Sequence, residues 1–187
     1  MPRPPVVLVP LAPGFEEIEA VAIIDVLRRA GVDVRVAALG SGPVTGAHGI
    51  TLATDLALAD VDAAELDMLV LPGGQPGTNH LKADARVLAL VRELEASGRG
   101  VAAICAAPMV LAAAGILRGR RATSHPSVRG ELGGAEVVDA PRVVRAGRVW
   151  TSQGPGTALE FALELVGELC GPERARELGA AMLVAVR

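Results

Sequence analysis

The sequence predicts an α/β fold, with a mainly parallel sheet, helices on both faces and one β-hairpin. Three observations carry this. Strand-like and helix-like segments alternate along the chain. The strand-like segments are continuous apolar runs such as Val6-Val-Leu-Val9, as expected of strands covered on both faces. No repeat, low-complexity tract or linker interrupts the alternation, and 187 residues suit one well-buried domain spanning 1–187.

Each element has its own local reason. Val6–Val9 is the first strand. Glu16–Ala30 repeats its apolar residues with helical spacing (Ile18, Val21, Ala22, Val26) and stops at Gly31. Val32–Leu39 is the second strand. Ser41–Thr54 holds Gly42-Pro43, Gly46 and Gly49 and reads as a short hairpin or excursion. Asp67–Leu71 is a strand ending at Pro72-Gly73-Gly74. Ala83–Ser97 is helical, with Val87, Leu90, Val91 and Leu94 on one face. Gly100–Ile104 is a short buried strand, and its helix runs on to Ala114 before Gly115. Arg121–Ser124 is a candidate short strand. Val143–Val149 turns at Ala146-Gly147 as a β-hairpin. Thr157–Cys170 and Glu173–Val186 are two closing helices, separated by Gly171-Pro172.

Composition narrows the function. Hydrophobic residues make up 51% of the chain but aromatics only 2%, so the core is aliphatic. The formal net charge is −3 with no basic stripe, and aromatics for base stacking are nearly absent, which argues against nucleic-acid binding. The apolar runs are too short to span a bilayer, and Met1-Pro-Arg-Pro-Pro5 lacks signal-peptide organisation. Two cysteines, Cys105 and Cys170, make no disulfide framework, so a reducing cytoplasm is expected. His48, His80 and His125 lack metal-site spacing, and no metal or cofactor is expected.

The most informative residue is Cys105. It stands where the strand Gly100–Ile104 turns into a helix, and Pro108 suits the first helical turn. Free N–H groups and the helix dipole there favour a thiolate, although a small cysteine that only packs fits the same turn. Sites in open α/β sheets form beyond the carboxyl ends of the strands. Three segments fall at that rim: Pro10–Glu19, Pro72–Gly77 and Cys105–Pro108. Gly73-Gly74 leaves the backbone bare, either to face an oxyanion or simply to make a tight turn. The segment is neither a GxGxxG fingerprint nor a Walker A loop. Glu16 and Glu17 read as ordinary helix-dipole complements. Glu19 is placed to enter the rim beside Cys105. Ionised, it would raise the thiol pKa and act as a base; protonated, it would donate to the thiolate. His125 either reaches the same rim or stays a solvated loop residue. Cys170, at a helix end, reads as structural.

Leu11-Ala-Pro-Gly-Phe-Glu-Glu-Ile-Glu-Ala-Val21, Val70-Leu-Pro-Gly-Gly74, Val101-Ala-Ala-Ile-Cys-Ala-Ala-Pro108, Thr123-Ser-His-Pro126 and Thr151-Ser-Gln-Gly-Pro-Gly-Thr157 together resemble the ThiJ/PfpI family, in its DJ-type branch, and are similar to bacterial YajL-like members. They span almost the whole chain in order. The resemblance implies a flavodoxin-like three-layer sandwich, a single class I glutamine amidotransferase-like domain and a homodimer. It matches Cys105 to the family's reactive cysteine and Glu19 to its acidic partner. The N–H groups of Gly74 and Ala106 match an oxyanion-type pocket, and His125 matches the pocket histidine. Three departures stand out. Ala106 replaces the histidine that follows the cysteine in the peptidase branch, which argues against a Cys-His peptidase or amidase. His48 replaces an arginine of animal members at the dimer-side pocket. The secondary cysteine of those members, around Ala53, is absent.

The resemblance therefore implies a cysteine-dependent stress-protection enzyme acting on reactive aldehydes or early glycated adducts, as a cofactor-independent glyoxalase or deglycase. The alternative it leaves open is a redox sensor or holdase chaperone built on an oxidisable Cys105.

Overall fold

A computed structural model describes residues 3–184. Its first half contains β1 (Val6–Leu11), α1 (Glu17–Arg29), β2 (Asp33–Ala38), β3 (Val44–Thr45), β4 (Thr51–Leu52), β5 (Leu56–Ala57), β6 (Met68–Leu71), α2 (Gly77–Ala83) and α3 (Ala85–Ala96). The second half contains β7 (Gly100–Ile104), α4 (Pro108–Ala113), β8 (Arg121–Ala122), β9 (Glu136–Val137), β10 (Val143–Ala146), β11 (Val149–Ser152), α5 (Ala158–Cys170) and α6 (Pro172–Ala181).

Seven strands form the main sheet in the order β10-β11-β7-β6-β1-β2-β5. Only the β10–β11 hairpin is antiparallel. The expected hairpin is therefore present, at the sheet edge. β3 and β4 form the expected small excursion as a separate antiparallel pair. β8 pairs with β9 outside the main sheet and stops at Ala122, short of the expected Ser124.

The aliphatic core follows from the pleat. Alternate residues of β1 face opposite sides of the sheet. Val7, Val9 and Leu11 join Ile23, Leu27, Phe161 and Leu165, under α1 and α5. Leu8 joins Leu69, Leu71, Val91, Leu94 and Leu111, under α3 and α4. The central strands β1, β6 and β7 are thus covered on both faces, and polar alternation has no place in them.

Two boundaries differ from expectation. The helix expected over Ala83–Ser97 is α3, which starts only after Asp84, and a further helix, α2, that the sequence reading did not anticipate precedes it. The Asp84 side chain accepts the Arg86 N–H at 2.9 Å and caps α3, while α2 closes just before it. The last helix ends at Ala181, because Leu183 takes a left-handed φ of 57°. Ala185 and Val186 of the expected span lie outside the described residues.

α1 is more apolar than one packed face requires. Ala20, Ile23, Val26 and Leu27 are buried, whereas Ile18 and Val21 remain 61% and 45% exposed. No helix among the described residues is long and apolar enough to cross a membrane.

Candidate active site

The site forms where β1, β6 and β7 end. Cys105 leaves β7 with φ of +63°, a region that side chains other than glycine avoid. Two main-chain hydrogen bonds hold it there. Its N–H donates to Ser152 O at 3.0 Å, and its carbonyl accepts from His125 N–H at 2.8 Å. The thiol is partly buried against Ala106, Met109 and Val128.

Glu19 approaches from α1. The Glu16 side chain caps that helix by accepting the Glu19 N–H at 2.7 Å, and Gly73 O accepts the Glu16 N–H at 2.9 Å. The Glu19 side chain is fully buried. Its Oε2 accepts the Gly73 N–H at 2.8 Å. Its Oε1 is buried without a nitrogen or oxygen partner, and the carboxyl lies in hydrogen-bonding reach of the Cys105 thiol. The main-chain N–H groups of Ala106 and Gly74 also reach the sulfur.

Electrostatics couple the pair. Burial raises the Glu19 carboxyl from 4.5 to about 7, against the lowering effect of the Gly73 N–H and the Cys105 thiol. Burial, and next the charge of Glu19, push the thiol up to about 12. The ready thiolate expected from the helix N-terminus is therefore corrected: desolvation and an ionised Glu19 outweigh the helix dipole. When Glu19 holds the proton, that repulsion disappears, and its O–H joins two N–H donors around the sulfur. One proton serves both sites.

The structure brings Cys105, Glu19, Gly73, Gly74 and Ala106 together and ties His125 to them through the Cys105 carbonyl. Gly73 has a different task from the one expected. Its N–H is taken by Glu19, so Gly74 and Ala106 are the donors at the sulfur. Gly73 also has no room for a side chain, since a Cβ there would lie 2.7 Å from Cys105 Cβ and 3.0 Å from Ala106 N. His48 sits apart from the thiol. Its Nδ1 and N–H meet the buried Glu17 carboxylate at 2.8 and 2.6 Å. Burial pushes Glu17 up, but the His48 ring and the main-chain N–H groups hold it below its usual value; the same bond raises His48.

Glu16 and Glu17 are thus a cap and a loop anchor, more than the dipole complements the sequence suggests. One atom from each of Glu16, Glu17 and His48 lies within 4.8 Å of the others. Both Glu17 oxygens are already engaged there, by His48 and Ile50. Ser152 and Ser127, the latter bonded to the His125 ring, were not legible as site residues; the His-Pro-Ser spacing was the available signal.

A thiol on a left-handed strand-to-helix elbow, facing a buried carboxyl and two main-chain donors, places the molecule among α/β proteins with a cysteine elbow. The chain belongs to the DJ-1/PfpI family, which matches residues 5–168. It is 44% identical over 180 residues to protein dj-1beta of Drosophila melanogaster, across 95% of this chain and 96% of that one. It is 41% identical over 165 residues to the Caenorhabditis elegans glutathione-independent glyoxalase DJR-1.2, across 87% of each. The crystal structure of Drosophila melanogaster DJ-1beta superposes with a TM-score of 0.95 at 43% identity, covering 98% of this chain and 100% of that chain. The flavodoxin-like sandwich expected from the resemblance is the fold observed.

Two predictions test the site. Below pH 4.5, Glu19 is protonated both folded and unfolded. As pH rises through 4.5 to about 7, the folded state keeps a proton that the unfolded state releases. Stability should therefore fall across this window by about 3 kcal/mol. Glu19→Gln is expected to remove that loss, raising stability in urea at about pH 8 while leaving it nearly unchanged at about pH 4. Equal effects at both pH values would contradict a buried, neutral Glu19. Gly73→Ala is expected to cost about 2 kcal/mol by overpacking and to slow alkylation of Cys105. A variant with wild-type urea midpoint and alkylation rate would show that the contact is slack.

Proposed function

We propose that this chain is a cysteine-dependent enzyme that converts small 2-oxoaldehydes to 2-hydroxy acids without glutathione or any other cofactor. The observation that carries the reading is the coupled pair: the Cys105 thiol in reach of a buried carboxyl raised to about 7, with the Gly74 and Ala106 N–H groups at the sulfur. A carboxyl poised near neutrality can both take and return a proton.

In this mechanism the Glu19 carboxylate takes the thiol proton as the Cys105 sulfur adds to the aldehyde carbon, the C=O electron pair moves to oxygen, and Glu19 passes the proton on to that oxygen to complete the hemithioacetal. The Gly74 and Ala106 N–H groups stabilise the oxyanion. Glu19, a carboxylate again, removes the proton from that carbon to give an enediolate and returns it to the neighbouring ketone carbon, while the hydroxyl proton moves from the first oxygen to the second. The hemithioacetal becomes a thioester, and water then releases the 2-hydroxy acid and the free thiol. Early glycation adducts, which carry the same two carbons, suit the same site. The name of the nematode relative supports the substrate class. Ala106 after the cysteine leaves no adjacent histidine to serve a peptidase. The chemistry requires a reduced thiol and therefore suits a reducing compartment such as the cytoplasm. Because the thiol is partly exposed and ringed by donors, oxidation of Cys105 as a redox signal is the second reading.

Purified protein should form lactate from methylglyoxal with no glutathione present. Cys105→Ser should abolish turnover, and Glu19→Gln should cut kcat about a hundredfold, as expected of a lost proton shuttle. Lactate formed by Cys105→Ser at the wild-type rate would overturn the reading. Peroxide-treated protein with full oxidation of Cys105 and no turnover before treatment would favour the redox role.

We also propose a homodimer through α1. Ile18, Val21 and the neighbouring loop residue Ile50 are 61%, 45% and 55% exposed, an uncovered apolar surface that a second copy would bury. The dimer would place His48, at the edge of that surface, near the partner's rim. Light scattering should report twice the 19.1 kDa chain mass at micromolar concentration, and paired Ile18→Glu and Val21→Glu should halve it. A wild-type particle of 19.1 kDa would rule the dimer out.

A further inference from the structure

His125 has a defined hydrogen-bonding state. It is the N-cap of the 3₁₀ helix Pro126–Glu131, a position more usual for serine, threonine, aspartate or asparagine. Pro126 occupies the first helical position, so the next main-chain N–H, that of Ser127, points back at the cap. His125 Nδ1 accepts that N–H at 3.3 Å, and Ser127 Oγ lies 2.7 Å from the same nitrogen. A main-chain amide can only donate. Nδ1 therefore presents its lone pair, the Ser127 hydroxyl donates to it as well, and the proton of the neutral ring sits on Nε2.

The His125 main chain is anchored at the site, and its side chain is exposed. The His125 N–H holds the Cys105 carbonyl at 2.8 Å. The Cδ2 edge, which adjoins Nε2, faces Gly154, where an added Cβ would lie 3.7 Å away. Nε2 has no hydrogen-bond partner among the described residues.

We propose that Ser127 is a positioning residue: by keeping Nδ1 of His125 an acceptor, it fixes the proton on Nε2 and makes His125 a hydrogen-bond donor at the Cys105 rim, not a base. This rests on the carbonyl chemistry above. Nε2–H polarises the substrate carbonyl as sulfur adds, and no proton is transferred from it. Proton movement between the two carbons is left to Glu19. The serine acts only through the ring.

Histidine side-chain ¹⁵N spectra test this at about pH 8.5, above the ordinary histidine range. Among the three histidines, the signals lost in His125→Gln identify this ring. In the wild-type protein, Nδ1 should resonate as the bare nitrogen and Nε2 as the protonated one. Ser127→Ala should move the ring toward the Nδ1–H form and lower kcat for methylglyoxal about fivefold with KM unchanged. Ser127→Thr, which keeps the hydroxyl, should restore both. A wild-type ring protonated on Nδ1 overturns the proposal, as does an unchanged tautomer in Ser127→Ala, or a change confined to KM. If the wild-type protein forms no lactate, the carbonyl reading falls, and the spectra decide the tautomer independently.

Discussion

The left-handed main chain of Cys105 is the constraint on which the site depends. A residue with a Cβ at φ of +63° costs about 1–2 kcal/mol. The surroundings hold it there: β7 is buried along its whole length, and the hydrogen bonds to Ser152 O and from His125 N–H fix the peptides on either side. Any relaxation of φ would swing the sulfur away from Glu19 and break at least one of these bonds. The same turn aims the Ala106 N–H at the sulfur, so strain and preorganisation are one geometric fact.

A second constraint is the burial of Glu19. A fully buried carboxylate is costly to ionise. The fold meets part of that cost with one main-chain donor, Gly73 N–H, and leaves Oε1 without a nitrogen or oxygen partner. Burial raises the carboxyl, and the Gly73 N–H with the Cys105 thiol in reach offsets only part of it, which leaves the carboxyl at about 7. Full satisfaction would fix it as an anion, and none would fix it as an acid. Gly73 must remain side-chain-free for the same reason, because its amide, Cys105 Cβ and Glu19 Oε2 occupy one tight triangle.

α1 serves three directions within its first turn. Glu16 caps it, Glu17 anchors the His48 loop, and Glu19 enters the site. Ile18, between them, points to solvent at 61% exposure. Successive helical residues are separated by about 100°, so neighbouring acids reach three separate environments. Three acids of one chemical type thereby acquire three roles.

The sequence by itself determined much of this protein. Continuous apolar strands required a sheet covered on both faces, and the glycines and Pro108 marked where elements begin and end. The turn at Cys105, and the rim that gathers it with Glu19 and Pro72–Gly77, followed from chain order, because strand ends in a parallel sheet share one edge. Only the tertiary structure decided what depends on distance and solvent. It started α3 after Asp84, whose side chain caps it, and added α2 just before. It gave the Gly73 amide to Glu19, tied His48 to Glu17 and set Ser127 against the His125 ring. It also reversed the expected ease of ionising Cys105. A helix dipole is legible in local sequence, but burial and the charge of Glu19, 86 positions away in the chain, exist only once the fold brings them to the sulfur.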